Sequence, residues 1–347
     1  MRWLLKIHLF LGVIAGPILI ILGVTGAVLV FEQPLDRLFY PDLLIVTPSG
    51  ERASLEAIVS PAQRARLDAG VVRVVLPQQA DRSVEVRFED GMSVFVDPYV
   101  LRVLGSRKTT GHAVARLLAV HAQLAAGPAG ALIVGLATVA ALLSAATGLL
   151  LWWPRRLWSV VRRRSWKGTN FDLHQVLGFW SSAVLALLAL SGASIYFNDA
   201  TGRFVRGALS APAPPPVPRA GPPAQDSEAR RISLDTAVRT ARSTLPGATP
   251  TFIVPGQDGQ AVWVQMRFPE DPNLVGRSAV YLDPYQGRAL RTLSTRERDL
   301  ATAVLNGRRS VHTGEIFGWP SRMLALLVSL VLPVEVVTGL LIWWNRR

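Results

Sequence analysis

Five histidines occur in the 347-residue chain, and four of them fall at matched positions. His121 opens the stretch HAQLAAGPAGALIVGLATVAALLSAATGLLLWW, and His312 opens HTGEIFGWPSRMLALLVSLVLPVEVVTGLLIWW, 191 residues later. His8 opens HLFLGVIAGPILIILGVTGAVLVF, and His174 opens HQVLGFWSSAVLALLALSGASIYF, 166 residues later. Neutral imidazole is a good iron ligand, and two imidazoles on one porphyrin iron make a low-spin haem suited to electron transfer. One ligand from each member of a pair predicts an inner haem between His8 and His174 and an outer one between His121 and His312. Zinc fits less well, because two histidines per level fill half of a tetrahedral site. A lone interfacial histidine is ordinarily just a tolerated polar residue. Matched placement of four favours ligation. His112, whose counterpart is Ala303, is assigned a surface or spare role.

The elements that must position these residues are membrane spans. Half of the residues are hydrophobic and 18% are charged. Apolar blocks at about 8–31, 129–153, 172–197 and 321–344 are each long enough to cross a hydrocarbon core of about 30 Å, which takes roughly 20 helical residues. From His8 to Phe31 a helix rises about 35 Å, so the two histidine levels bracket a bilayer. The second and fourth blocks share the leading His, a Gly six residues on (Gly127, Gly318) and a closing Thr-Gly-Leu-Leu-x-Trp-Trp. The first and third share Leu11-Gly12 with Leu177-Gly178, Gly26 with Gly192, and Phe31 with Phe197. All four therefore belong to one doubled unit. Asn170 and Asp172 are expected to cap the third helix. The repeated glycines Gly26, Gly192, Gly148 and Gly339 would let a flat macrocycle approach the backbone, or would simply pack helices together. The Trp pairs Trp152-Trp153 and Trp343-Trp344 read as interface anchors.

The formal charge of +13 does not point to nucleic acid, because the basic residues cluster beside spans. Arg155, Arg156, Arg162, Arg163, Arg164 and Lys167 lie in the second loop, Arg2 and Lys6 start the chain, and Arg346 and Arg347 end it. The positive-inside rule puts these segments in the cytoplasm and both large insertions outside. The first span is expected to be retained, being too long for a signal-peptide core and lacking a small-residue cleavage site. The chain has no cysteine, which excludes thiolate metal sites, iron–sulfur clusters and covalently attached c-type haem.

Both insertions open on a helix-start signal, Ser54-Leu55-Glu56-Ala57 and Ser233-Leu234-Asp235-Thr236-Ala237. Alternating strands follow at 83–87 and 262–266, then SVFVDPY (93–99) and AVYLDPY (279–285), which predicts a small α+β module in each. A Pro-rich stretch, Ser210–Ala224, reads as a polyproline-II spacer that cannot pack a core. The predicted organisation is a first span over 1–32, an extracytoplasmic domain over 33–110, and an outer helix with the second span over 111–153. A basic loop follows over 154–171, then the third span over 172–198, a linker over 199–230, a second domain over 231–308, and the fourth span over 309–347.

Other polar residues extend the candidate site. Arg116, Arg308 and Arg309 precede the outer histidines and could pair with haem propionates, as could Lys6 on the inner side; solvated surface is the alternative. Glu335, inside the fourth span opposite Ser144 in the repeat, is a candidate for proton handling or contact with a haem edge. Glu315 could orient His312 or touch substrate.

The helix–strand–DPY modules, flanked by His-bearing spans that end in T-G-L-L-x-W-W, resemble the PepSY-associated transmembrane family over nearly the whole chain. The first copy departs from the pattern at His121, where Ala-Gln-Leu stands in place of the Thr-Gly-Glu that follows His312. The resemblance implies a membrane α-helical fold: a four-span bundle of two internal repeats with two small extracytoplasmic α+β PepSY-like domains. It also implies a protein of the bacterial inner membrane with two b-type haems, reducing a ferric siderophore on the periplasmic side and releasing ferrous iron. No nucleotide or flavin motif is visible, so the electron donor would be another protein, a quinol or a diffusible reductant. Two other readings stay open: a non-redox PepSY protein that modulates peptidases or envelope assembly, and a siderophore transport accessory with Glu335 as its coupling site.

Overall fold

A computed structural model describes residues 2–153, 158–160, 165–220, 231–257 and 259–345. The chain divides into two compact units, one made of Met1–Glu32, Arg116–Leu209 and Val304–Arg347, the other of Gln33–Ala115 and Ser210–Ala303. The arginines expected to set orientation at 155, 156, 162–164, 346 and 347 lie outside the described residues, as do 221–224 of the linker.

The first unit is a helical bundle. Four of its helices are long and apolar enough to cross a membrane: α1 (Arg2–Leu29), α6 (Gly127–Trp152), α7 (Trp166–Tyr196) and α11 (Trp319–Trp344). Helix α1 packs on α6 and α11, and α7 packs on the same two. Small residues line the seam, with Ala15, Leu19, Ala137, Ala141 and Ala189 buried together, which lets the backbones close on one another. Large apolar side chains such as Phe10, Leu136, Leu190 and Leu327 are more than half exposed. That is the surface a bilayer, not water, would solvate. The short helices α5 (Ala113–Gln123), α8 (Asn198–Ala208) and α10 (Leu300–His312) flank the spans.

Helix α7 starts earlier than the sequence suggests. Its cap is Ser165, whose hydroxyl accepts from the Gly168 amide at 3.3 Å, and not Asn170 or Asp172. Those two face inward: the Asn170 amide donates to the Thr338 carbonyl of α11 at 3.1 Å, and Asp172 is wholly buried. Tertiary contacts on α11 outweigh the local capping preference of Asn and Asp, so the helix runs through them.

In the second unit each insertion supplies a capped helix and four strands. The first contributes α4 (Leu55–Ala65) and β1 (Val71–Val75), β2 (Val84–Phe88), β3 (Met92–Val96) and β4 (Val103–Lys108), after the short α2 (Glu32–Phe39) and α3 (Pro41–Leu44). The second contributes α9 (Leu234–Thr244) and β5 (Thr249–Val254), β6 (Val262–Arg267), β7 (Ser278–Leu282) and β8 (Ala289–Leu293). Ser54 and Ser233 cap their helices, accepting from the amides of Ala57 at 3.2 Å and Thr236 at 3.0 Å. The DPY signatures are turns: the Asp97 carboxylate accepts from the Tyr99 amide, and the Asp283 carboxylate from that of Tyr285, both at 2.9 Å.

The eight strands form one antiparallel sheet in the order β4-β3-β2-β1-β5-β6-β7-β8. The insertions meet at β1–β5, with Val74 opposite Ile253 and Val75 opposite Phe252. One core serves both halves: Ile58 and Ala62 of α4, Ala237 and Ala241 of α9, and Val74, Val86, Ile253 and Val264 of the sheet are all buried in it. The Pro-rich segment is tied to this unit, with Arg291 donating to the Pro216 carbonyl and Arg219 bridging to Gln260.

The two helices also cap each other. Both carboxylate oxygens of Asp235 accept from the Leu55 amide, at 3.1 and 2.9 Å, and Glu56 accepts from the Leu234 amide. Burial, then the adjoining Asp235, raises the Glu56 carboxyl above its ordinary 4.5. The folded unit therefore binds that proton more tightly than the unfolded chain, so this site costs stability as pH rises through the folded pKa and costs none below about 4.5. Denaturant titrations from pH 4 to pH 8 are expected to show Glu56→Gln gaining on the wild type as pH rises.

Candidate functional site

The bundle brings the four matched histidines together as two couples. His8 on α1 and His174 on α7 have ring centroids 6.2 Å apart with planes inclined by 68°. His121, in the last turn of α5, and His312, the last residue of α10, have centroids 6.1 Å apart and planes inclined by 49°. Two imidazoles that share one metal at a bond of about 2.0 Å, with about 1.1 Å from nitrogen to ring centre, have centroids about 6.2 Å apart. Both couples sit at that separation.

Each ring is seated on a neighbouring helix at a hydroxyl residue followed by glycine. Nδ1 of His8 lies 3.0 Å from Thr147 Oγ1, that of His174 3.0 Å from Thr338 Oγ1, and that of His121 2.9 Å from Thr25 Oγ1. His312 Nδ1 lies 3.0 Å from the Leu188 carbonyl and 3.3 Å from Ser191 Oγ. The glycine after each hydroxyl gives the ring its room. A Cβ on Gly148, Gly339, Gly26 or Gly192 would meet the Cε1 of His8, His174, His121 or His312 at 3.2, 3.1, 3.2 and 3.0 Å. These glycines thus accommodate the imidazoles themselves, where the sequence suggested a macrocycle or another helix. The backbone spacing from His8 to Gly26 on α1 corresponds to about 27 Å of helix, which separates the two levels.

A cavity of 440 Å³ surrounds the inner couple, within the roughly 300–1,000 Å³ of small-molecule sites. Gly12, Gly178, Leu185, Trp152 and Trp343 line its apolar wall, and Arg2 and Lys6 reach it as cations. Three buried polar atoms on that wall, Ser144 Oγ, Gln175 Oε1 and Glu335 Oε1, have no hydrogen-bond partner among the described residues. The other carboxylate oxygen of Glu335 lies 3.2 Å from His174 Nδ1. The donor set of two facing imidazoles, an apolar cavity and nearby cations fits a planar, carboxylate-bearing tetrapyrrole.

Burial, then the adjoining His312, holds His121 down at about 4, and burial lowers His312 as well. Of the arginines expected there, Arg116 and Arg309 are exposed. Arg308 is engaged instead with the end of α7, donating to the Ser194 carbonyl at 2.6 Å and Asn198 Oδ1 at 2.9 Å. Glu315 acts through its backbone, its amide donating to the Ser310 carbonyl at 2.8 Å and its carbonyl accepting from Gly318 at 3.0 Å. Gly318 turns there with φ 66°, as Gly127 does with φ 60°, which accounts for the repeated glycine before each span.

His112 belongs to the other unit. It packs edge-on to Tyr40, with Nδ1 3.5 Å from Asp36, a carboxylate already held by Arg107 at 2.7 Å through both oxygens. The Trp pairs split in role. Trp153 and Trp344 are exposed, whereas Trp152 is buried, stacked on Phe179 at 4.0 Å, and lines the inner cavity along with Trp343.

The sequence assigned no role to Thr25, Thr147, Ser191 and Thr338, although Thr147 and Thr338 open the repeated Thr-Gly-Leu-Leu-x-Trp-Trp. The signal was present, since a hydroxyl residue precedes each repeated glycine. Gly339→Val is expected to force His174 aside and to destabilise the protein by about 1–3 kcal/mol. Gly12→Ala, where nothing lies within 4 Å, is expected to be neutral or mildly stabilising in thermal unfolding in detergent.

The family model described as the PepSY-associated TM region matches residues 5–346. No curated protein matches the chain.

Proposed function

Starting from a multi-pass membrane protein that belongs to the PepSY-associated transmembrane family, we propose a two-haem electron carrier of the bacterial cytoplasmic membrane that reduces a ferric siderophore on the periplasmic side. The observation that carries this reading is the pair of centroid separations, 6.2 and 6.1 Å, at two levels of one bundle. A b-type haem held by each couple would supply a one-electron ferric/ferrous exchange. His8 and His174 would hold the inner group, with Arg2 and Lys6 to neutralise its carboxylates. His121 and His312 would hold the outer one.

The chain's own residues do the rest. The hydroxyl–glycine seats orient the imidazoles, and Trp152, Trp343 and Leu185 give the inner cavity an apolar wall. The sequence repeats support a duplicated unit in which each copy supplies one ligand per level. In this reading the insertions are PepSY-like domains lying in the periplasm, and both termini lie in the cytoplasm. The buried Glu335 favours one rival, ion-coupled transport. Its contact with His174 supports a role beside the inner haem equally. Siderophore uptake by vesicles without reductant would favour transport.

Purified protein is expected to show a reduced-minus-oxidised b-type spectrum with two haems per chain. His8→Ala or His174→Ala should remove one haem, His121→Ala or His312→Ala the other, and His112→Ala neither. A colourless wild type reconstituted with haemin would refute the proposal.

A further inference from the structure

The seats under the four imidazoles carry more information than their distances. Each hydroxyl has a single proton, and each is already committed to the carbonyl one helical turn back. Thr25 donates to Ile21 at 2.6 Å, Thr147 to Leu143 at 2.8 Å, Ser191 to Leu187 at 2.7 Å and Thr338 to Val334 at 2.7 Å. Towards its histidine the oxygen can therefore only accept. The carbonyl three residues back lies beside each hydroxyl as well, those of Leu22, Ser144, Leu188 and Glu335 at 3.4, 3.1, 3.0 and 3.1 Å, and at His312 that of Leu188 lies 3.0 Å from Nδ1. Carbonyls have no proton to give. A hydroxyl followed by glycine meets the same ring atom four times, and at His174 a carboxylate oxygen of Glu335 joins it, 3.2 Å from Nδ1.

We propose that Thr25-Gly26, Thr147-Gly148, Ser191-Gly192 and Thr338-Gly339 are tautomer seats, each fixing its imidazole with the proton on Nδ1 and the lone pair of Nε2 presented as the ligand atom. The inference rests on the haem reading for what Nε2 binds, but not for the tautomer itself. The hydroxyl holds Nδ1, and the missing Cβ lets Cε1 settle on the glycine. Among the described residues no hydrogen bond reaches any of the four Nε2 atoms. The opposite tautomer would leave the Nδ1 lone pair facing an accepting hydroxyl oxygen, and at His312 a carbonyl as well. A ring held by an acceptor at Nδ1 is also a more basic ligand, which stabilises ferric over ferrous iron. The seats would thus set how tightly the groups are held and keep their potentials low.

The first test needs no cofactor. Full-length protein prepared without haem and labelled with ¹⁵N at histidine has five imidazoles to resolve by solid-state NMR. The four seated rings are expected to be neutral with protonated Nδ1, and a protonated Nε2 on any of them would overturn the assignment at that seat. The second test reads the consequence by haemin titration and redox potentiometry on Thr147→Val, Thr338→Val and Thr147→Ser. The valine variants are expected to bind haemin at one site 10–100-fold more weakly and to raise that site's midpoint potential. Thr147→Ser, the arrangement Ser191 already uses, should restore both properties. Valine variants with wild-type affinity and potential, or a serine variant no better than valine, would overturn the proposal. A wild type that takes up no haemin would refute the redox function and leave the NMR result to judge the seats alone.

Discussion

A polar ring among closely packed helices must have its hydrogen bonds met by the protein, and this requirement organises the first unit. Imidazole is tolerated between helices here because a threonine or serine hydroxyl meets its Nδ1, joined at His312 by the Leu188 carbonyl. That hydroxyl is back-bonded to its own helix, and the next residue is glycine, so the ring can come close enough to use it. The two rings and their two seats form one assembly that spans four helices at each level. The couple separations follow from it, and so does the need for small residues along the seams between helices.

Much of this was legible in the sequence, because repetition within one chain supplies what a single copy cannot. The four spans were visible from apolar length, and the meeting of His8 with His174 and of His121 with His312 from their shared offsets. Ser54 and Ser233 were readable as caps because capping is local. The limits were equally physical. Asn170 and Asp172 look like caps by local preference, yet contacts with α11 draw Asn170 inward and the helix begins at Ser165. Trp152 looks like an interfacial anchor by composition, and only packing against Phe179 reveals a buried cavity wall. The repeated glycines were visible, but their occupant was not, since the ring that needs the space arrives from another helix.

The second unit shows the same contrast. The alternating patterns of β2 and β6, and the turn chemistry of Asp97 and Asp283, follow from neighbouring residues. The joint between β1 and β5 does not. It pairs backbone groups about 180 residues apart, and no local pattern announces which strand edge will be covered by which. The reciprocal capping by Glu56 and Asp235 belongs with this joint, for it too exists only once both insertions are in place.

That joint has a consequence for biogenesis. Between Val74 and Ile253 the chain threads two membrane-crossing helices, so the central hydrogen-bonded ladder waits on their insertion. Until the later strands emerge, β1 is a bare margin with unsatisfied amides and carbonyls, the kind of edge on which stray chains polymerise. A nascent first half must be shielded during that interval, and the long sequence separation makes closure of the sheet a slow step in maturation.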